Sequence, residues 1–247
     1  MKLIKTEYVL IIALFCLAFV SAAFAVQPFI FGMEKAFELR HNVEDFRETA
    51  DTALQRTVFD GETEKAKEIP YAELRQDLLI YNNSLYYGQQ RKLNSKSAYE
   101  VSQFKLMDYG LPSEVFGVLS IPTMELEMPL YLGANEANMA NGAAVLSQTS
   151  IPIGGIGTNS VIAGHRGWNG YKYFLDIELL ELGDTVTITN LWETLTYQVV
   201  GIKIVLPDDV DAILIQPGRD MITLLTCHPP YTGGRYRYLV YCERIQN

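Results

Sequence analysis

Hydrophobic and polar positions divide the chain into three textures. Residues 8–33 carry no charge and are rich in Leu, Ile, Phe, Val and Ala. That stretch is longer than the roughly 20 residues a helix needs to cross a hydrocarbon core. Charged residues then interrupt apolar ones at helical steps, first at Phe46, Ala50, Ala53 and Leu54, then at Tyr71, Leu74, Leu78, Tyr81 and Leu85. The spacing predicts two amphipathic helices, joined by the polar segment 60–67, with Pro70 where a first helical turn tolerates it. Residues 94–96 read as a linker. From about residue 110 the texture changes to short apolar or alternating runs at 115–121, 125–131, 160–165, 185–189, 195–205, 222–227 and 238–241. Gly, Pro, Asn and Asp punctuate these runs every eight to twelve residues, a pattern that predicts a β-sandwich or barrel. Helical pattern is sparse here, and 173–182 is its best candidate. The expected fold class is therefore mainly β, with an N-terminal helical segment and one N-terminal transmembrane helix.

Charge places the chain relative to the membrane. Lys2 and Lys5 precede the apolar span, and Glu34, Glu38, Glu44 and Asp45 follow it. That asymmetry puts the N-terminus in the cytoplasm and the rest outside. Ala23-Phe24-Ala25 resembles a signal-peptide cleavage site, but the apolar stretch runs past it, so an uncleaved single-pass anchor is expected. The implied layout is a cytoplasmic tail at 1–7, an anchor at 8–33, an extracellular helical segment at 34–109 and a β-rich domain at 110–247. A formal charge of −9, with no run of Lys and Arg, argues against a nucleic-acid partner. The same acidity serves as a solvated surface.

Three cysteines occur in 247 residues. Cys16 lies in the apolar span. Cys227 ends the run Ile222-Thr223-Leu224-Leu225-Thr226, and His228-Pro229-Pro230 stops that run. If Arg237 opens the returning strand, Cys242 sits about 17 Å along it from the point opposite Cys227. A disulfide needs Cα atoms within about 7 Å, so Cys227 is expected to be a free thiol on an exported domain. His165 closes a separate run, Ser160-Val161-Ile162-Ala163-Gly164. A thiol, an imidazole and a guanidinium at three strand ends can meet at one rim, where nucleophilic catalysis needs all three. His228 is a poor proton partner for Cys227, because neighbouring strand residues face opposite ways. Arg166 stands beside His165 as a supporting residue, and Arg235 competes with Arg237. A zinc site needs three or four ligands at a recurrent spacing, which these histidines and cysteines do not offer. No metal or cofactor is expected. Spacing alone leaves a thiol enzyme and a structural reading evenly matched.

Longer motifs carry a family resemblance. Thr223-Leu224-Leu225-Thr226-Cys227 resembles the TLxTC signature of sortases, the membrane-anchored cysteine transpeptidases of Gram-positive bacteria. The stretch Thr149-Ser150-Ile151-Pro152-Ile153-Gly154-Gly155-Ile156-Gly157-Thr158-Asn159, continuing through Ser160 to His165-Arg166-Gly167, is similar to the approach to the catalytic histidine in class C, pilus-type sortases. Phe174-Leu175-Asp176 and Pro207-Asp208-Asp209 are also similar, and the likeness covers roughly 117–244. It implies an eight-stranded sortase β-barrel on a single-pass membrane anchor. It further implies Cys227 as nucleophile, His165 as acid/base and Arg237 as the catalytic arginine. The implied reaction cleaves an LPxTG-like sorting motif between Thr and Gly through a thioacyl intermediate and joins it to a pilin lysine. Partners would be pilin or surface proteins bearing that motif. The alternatives are anchoring to peptidoglycan, an exported cysteine hydrolase, or a non-enzymatic pilus scaffold. Two departures matter. The loop after Cys227 is one residue longer than usual, which keeps Arg235 as the rival arginine. The Asp-Pro-aromatic triplet that covers the thiol in many class C members is missing, with Asp108-Tyr109-Gly110 only a faint echo, which puts self-inhibition by such a lid in doubt and leaves open whether any lid gates the site.

Overall fold

The computed structural model of the chain describes residues 6–56 and 69–245; the joining segment at 60–67 lies outside the described residues. The apolar span and the first amphipathic stretch form one continuous helix, α1 (Thr6–Arg56). At 1.5 Å per residue it is roughly 75 Å long. Its first half exposes Leu10, Phe15, Phe19 and Phe24, and α1 is long and apolar enough to cross a membrane. Its second half buries Leu39, Val43, Phe46, Ala50 and Ala53. Steps of four and three put those residues on one stripe, which packs against strands β1 (Val115–Ile121) and β2 (Leu126–Leu132). Leu54 falls one position off that stripe and is 40% exposed. Helix α2 (Ala72–Gly88) buries Leu74, Leu78 and Leu85. The Asn82 carboxamide fastens it, donating to Ile151 O at 2.9 Å and accepting from Ile151 N at 2.8 Å.

Eight strands close into a barrel: β1 (Val115–Ile121), β2 (Leu126–Leu132), β3 (Ala143–Val145), β4 (Thr158–Ala163), β7 (Thr185–Thr189), β8 (Thr194–Val205), β9 (Asp220–His228) and β10 (Tyr236–Arg244). Around the barrel the order is β1-β2-β3-β4-β9-β10-β8-β7, with a separate hairpin of β5 (Arg166–Trp168) and β6 (Tyr171–Tyr173). The pairs β2–β3 and β4–β9 are parallel and the other barrel pairs antiparallel. Closure leaves no open sheet edge around the ring. Phe116, Leu119, Met128, Leu130, Ile188, Leu224 and Val240 are fully buried and fill the interior.

The helix expected at 173–182 is only a 3-10 turn, Ile177–Leu179. Phe174, Ile177 and Leu180 are buried at steps of three. That spacing fits the eclipsed side chains of a 3-10 turn and gives no α-helical face. A short helix not foreseen, α3 (Glu136–Asn141), is capped by the Asn135 side chain, which accepts from Asn138 N at 3.1 Å. It buries no residue, so it leaves no apolar periodicity to read.

Candidate active site

Strands β4 and β9 lie side by side in parallel, with Ala163 opposite Leu225. Two bonds lock their ends together: Gly164 N donates to Leu225 O at 3.1 Å, and Thr226 Oγ1 donates to Gly164 O at 2.7 Å. His165 leaves the end of β4 and Cys227 sits near the end of β9, so both reach the same rim of the barrel. On the other side of β9, Arg237 of β10 pairs directly with Cys227. Directly opposed residues in an antiparallel pair project to the same face. A Cβ built on Gly234 would meet Cys227 Sγ at 2.9 Å and Arg237 Nη1 at 3.0 Å, so thiol and guanidinium flank one glycine. Arg237 Nη1 donates to Gly234 O at 2.7 Å and to Tyr236 O at 3.2 Å. Arg235 is exposed in the loop before β10.

The His165 imidazole lies in an aromatic slot. It stacks on Trp168 at 4.8 Å and 14°, and meets the edge of Tyr173 at 5.8 Å. Burial lowers its pKa from the ordinary 6.5, opposed by the Glu136 carboxylate. The ring therefore favours its neutral form, which can take a proton. No hydrogen bond joins it to Cys227 Sγ among the described residues. His228 turns to the other face, 2.9 Å from Arg166.

The cysteines are unpaired, and their surroundings separate their chemistry. Cys242 pairs with Ile222, five positions along β9 from Cys227. It is buried, and that burial pushes its thiol up to about 12. Cys16 lies exposed on the apolar half of α1. Cys227 is the exposed thiol on the barrel.

A residue not foreseen from the sequence completes the site. The 3-10 turn Ser97–Tyr99 lies against the strand ends. The Tyr99 hydroxyl lies near the Arg237 guanidinium and near Cys227, close enough to interact with both charges. Burial raises its pKa and Arg237 opposes the rise. Ser147 holds this turn, its N–H donating to Ala98 O at 2.9 Å and its hydroxyl to Glu100 O at 2.8 Å. The space left between the turn and Leu225, Arg237, Leu239, Val205 and Pro207 is only about 20 Å³. The 95–99 segment thus packs against the strand ends that carry Leu225 and Arg237. Tyr109, in the faintly similar triplet, donates to Asp77 of α2 at 2.8 Å instead.

The family model described as a sortase domain matches residues 119–245. Curated relatives include sortase A of Bacillus anthracis, 27% identical over 70% of this chain and 79% of that protein. Sortase A of Streptococcus agalactiae is 28% identical over 59% of this chain and 64% of that protein. Among solved structures, sortase C-1 of Streptococcus pneumoniae superposes with a TM-score of 0.68 at 29% identity, covering 84% of this chain and 98% of that one. Sortase C1 of pilus island 1 from group B Streptococcus gives 0.69 at 26% identity, covering 84% and 98%. Sortase C of Clostridium perfringens gives 0.62 at 28%, covering 84% and 99%. With a family model spanning more than half its length and the same eight-stranded barrel beneath it, the chain belongs to the sortases, a family of cysteine transpeptidases.

Proposed function

We propose that this chain is a membrane-anchored transpeptidase that cuts an LPxTG-like sorting motif between Thr and Gly and joins the Thr to a pilin lysine. The observation that carries the reading is the cross-strand pair of Cys227 and Arg237, with His165 ending the adjoining strand. The Cys227 sulfur attacks the Thr carbonyl carbon as its proton passes to the neutral His165 imidazole. Arg237, whose guanidinium flanks the thiol, holds the negative charge that develops on the carbonyl oxygen. The Thr–Gly C–N bond breaks, His165 gives its proton to the leaving glycine amine, and a thioester remains on Cys227. A lysine amine then attacks that thioester, its proton passes through His165 back to sulfur, and an amide forms.

Solved neighbours named sortase C favour lysine as acceptor. Curated relatives named sortase A favour a second reading, in which a peptidoglycan amine resolves the same thioester. Incubating the chain with a sorting-motif peptide and either amine, then weighing the products, separates the two. A product carrying only the elements of water supports a hydrolase and contradicts both.

A further inference from the structure

Behind the thiol, on the opposite face of β9, lies a polar cluster that the catalytic reading does not use. Its centre is Arg166, the residue after His165, whose side chain is only 3% exposed. The guanidinium makes three contacts. Nη2 pairs with Glu178 Oε1 at 2.6 Å, while Nη1 reaches His228 Nδ1 at 2.9 Å and the Cys227 carbonyl oxygen at 3.3 Å. The Tyr238 ring lies 5.4 Å from the guanidinium carbon and 5.6 Å from the His228 ring.

Donor and acceptor roles in this cluster are constrained. An arginine guanidinium only donates, so the contact at 2.9 Å requires a lone pair on His228 Nδ1. The ring proton is then on Nε2. Glu178 Oε1 also lies 3.2 Å from Nδ1, but it too only accepts and gains no hydrogen bond from that nitrogen in this tautomer. Arg166 Nε is buried with no partner, and an unpaired buried N–H is a cost in stability. A buried cation held at such a cost points to a task other than stabilising the core.

We propose that Arg166 is a positioning residue, a strut that ties the strand end carrying His165 to the strand end carrying Cys227, with neutral His228 as the acceptor that fixes its angle. The backbone of Arg166 continues directly from His165, and its side chain grips the carbonyl of Cys227. Loss of the strut therefore lets imidazole and thiol drift apart while both stay intact. The inference rests on the proposed roles of those two residues.

The test uses the full chain in detergent. Arg166→Lys keeps the charge and loses the three-way fork; His228→Leu removes the acceptor and His228→Asn keeps one. For folded variants, the strut requires kcat on a sorting peptide to fall about tenfold or more in Arg166→Lys and His228→Leu, with KM within about twofold, since small misplacements of reacting groups cost rate rather than binding. His228→Asn restores kcat to within about threefold of the unaltered chain. Unchanged kcat in either damaging variant, or no rescue by Asn, overturns the proposal. Should Arg166→Lys not fold, the His228 pair decides alone. Should the unaltered chain cleave no sorting peptide, the transpeptidase reading fails on its own. The strut is then read from the rate at which iodoacetamide alkylates Cys227: a changed rate in His228→Leu that returns in His228→Asn supports it, and three equal rates overturn it.

Discussion

At φ +76°, Gly234 occupies the left-handed backbone region, and a Cβ there would meet both Cys227 Sγ and Arg237 Nη1. Gly234→Ala therefore strains the backbone by about 1–2 kcal/mol and also pushes thiol and guanidinium apart. The expected result is a modest drop in melting temperature with a much larger loss of peptide cleavage; equal cleavage by the variant contradicts the placement of that pair. His165 carries a second residue-scale expectation. Burial holds its pKa below 6.5, so below that pH the unfolded chain binds a proton that the folded chain does not. The stability this contributes is present above 6.5 and is lost as pH falls through the folded value. His165→Gln removes the titration. Urea unfolding at about pH 7 and about pH 5.5 should show a smaller loss of stability in the variant than in the unaltered chain; equal losses contradict the burial of a neutral ring.

Among the elements, the turn Ser97–Tyr99 packs beside Arg237, while Cys227 itself is exposed. Tyr99→Ala takes away the ring and its contact with Arg237. Slower peptide cleavage is expected, with alkylation of the already exposed Cys227 unchanged, whereas unchanged cleavage contradicts a role for that contact. Nothing in the sequence marked this element. Asn94 accepts from the backbone N–H of Lys96 and Ser97, both at 3.0 Å, and such a polar turn reads as linker. Tyr99 acquires meaning only when folding brings up Arg237, and that pairing has no local pattern. The strands were legible for the opposite reason. In β7, Val186 and Ile188 are buried while Thr185, Thr187 and Thr189 are half-buried, so alternation in the sequence is alternation in space. Cys227, His165 and Arg237 were legible because each ends or opens such a run. The loop between 228 and 236 left two arginines in contention, and the cross-strand register placed Arg237 opposite Cys227. Within β1, Phe116 is fully buried. Phe116→Ala is expected to cost about 3–5 kcal/mol in denaturant unfolding, and a loss under about 0.5 kcal/mol, the size of a surface change, contradicts its place in the core.

Over the whole molecule, α1 joins the apolar span to the catalytic barrel without a break. Gly32 of that helix and Gly170 of the β5–β6 hairpin approach so closely that a side chain on either would collide with backbone. The same hairpin supplies Trp168 and Tyr173 to the His165 slot. The rim that bears the candidate site is thus held against the last turns of the apolar stretch of α1. Span and helix look separate along the sequence because charge begins at Glu34, whereas backbone hydrogen bonding continues through that change in polarity. In the proposed mechanism Cys227 carries the substrate covalently. Mass spectrometry of the full chain incubated with a sorting-motif peptide tests it most directly. The account predicts a thioester adduct on Cys227, equal in mass to the peptide up to its Thr, that is absent from Cys227→Ala and disappears when a lysine amine is added, with the amide product appearing in its place. Peptide cleavage that persists in Cys227→Ala, or an adduct on any other residue, would contradict it.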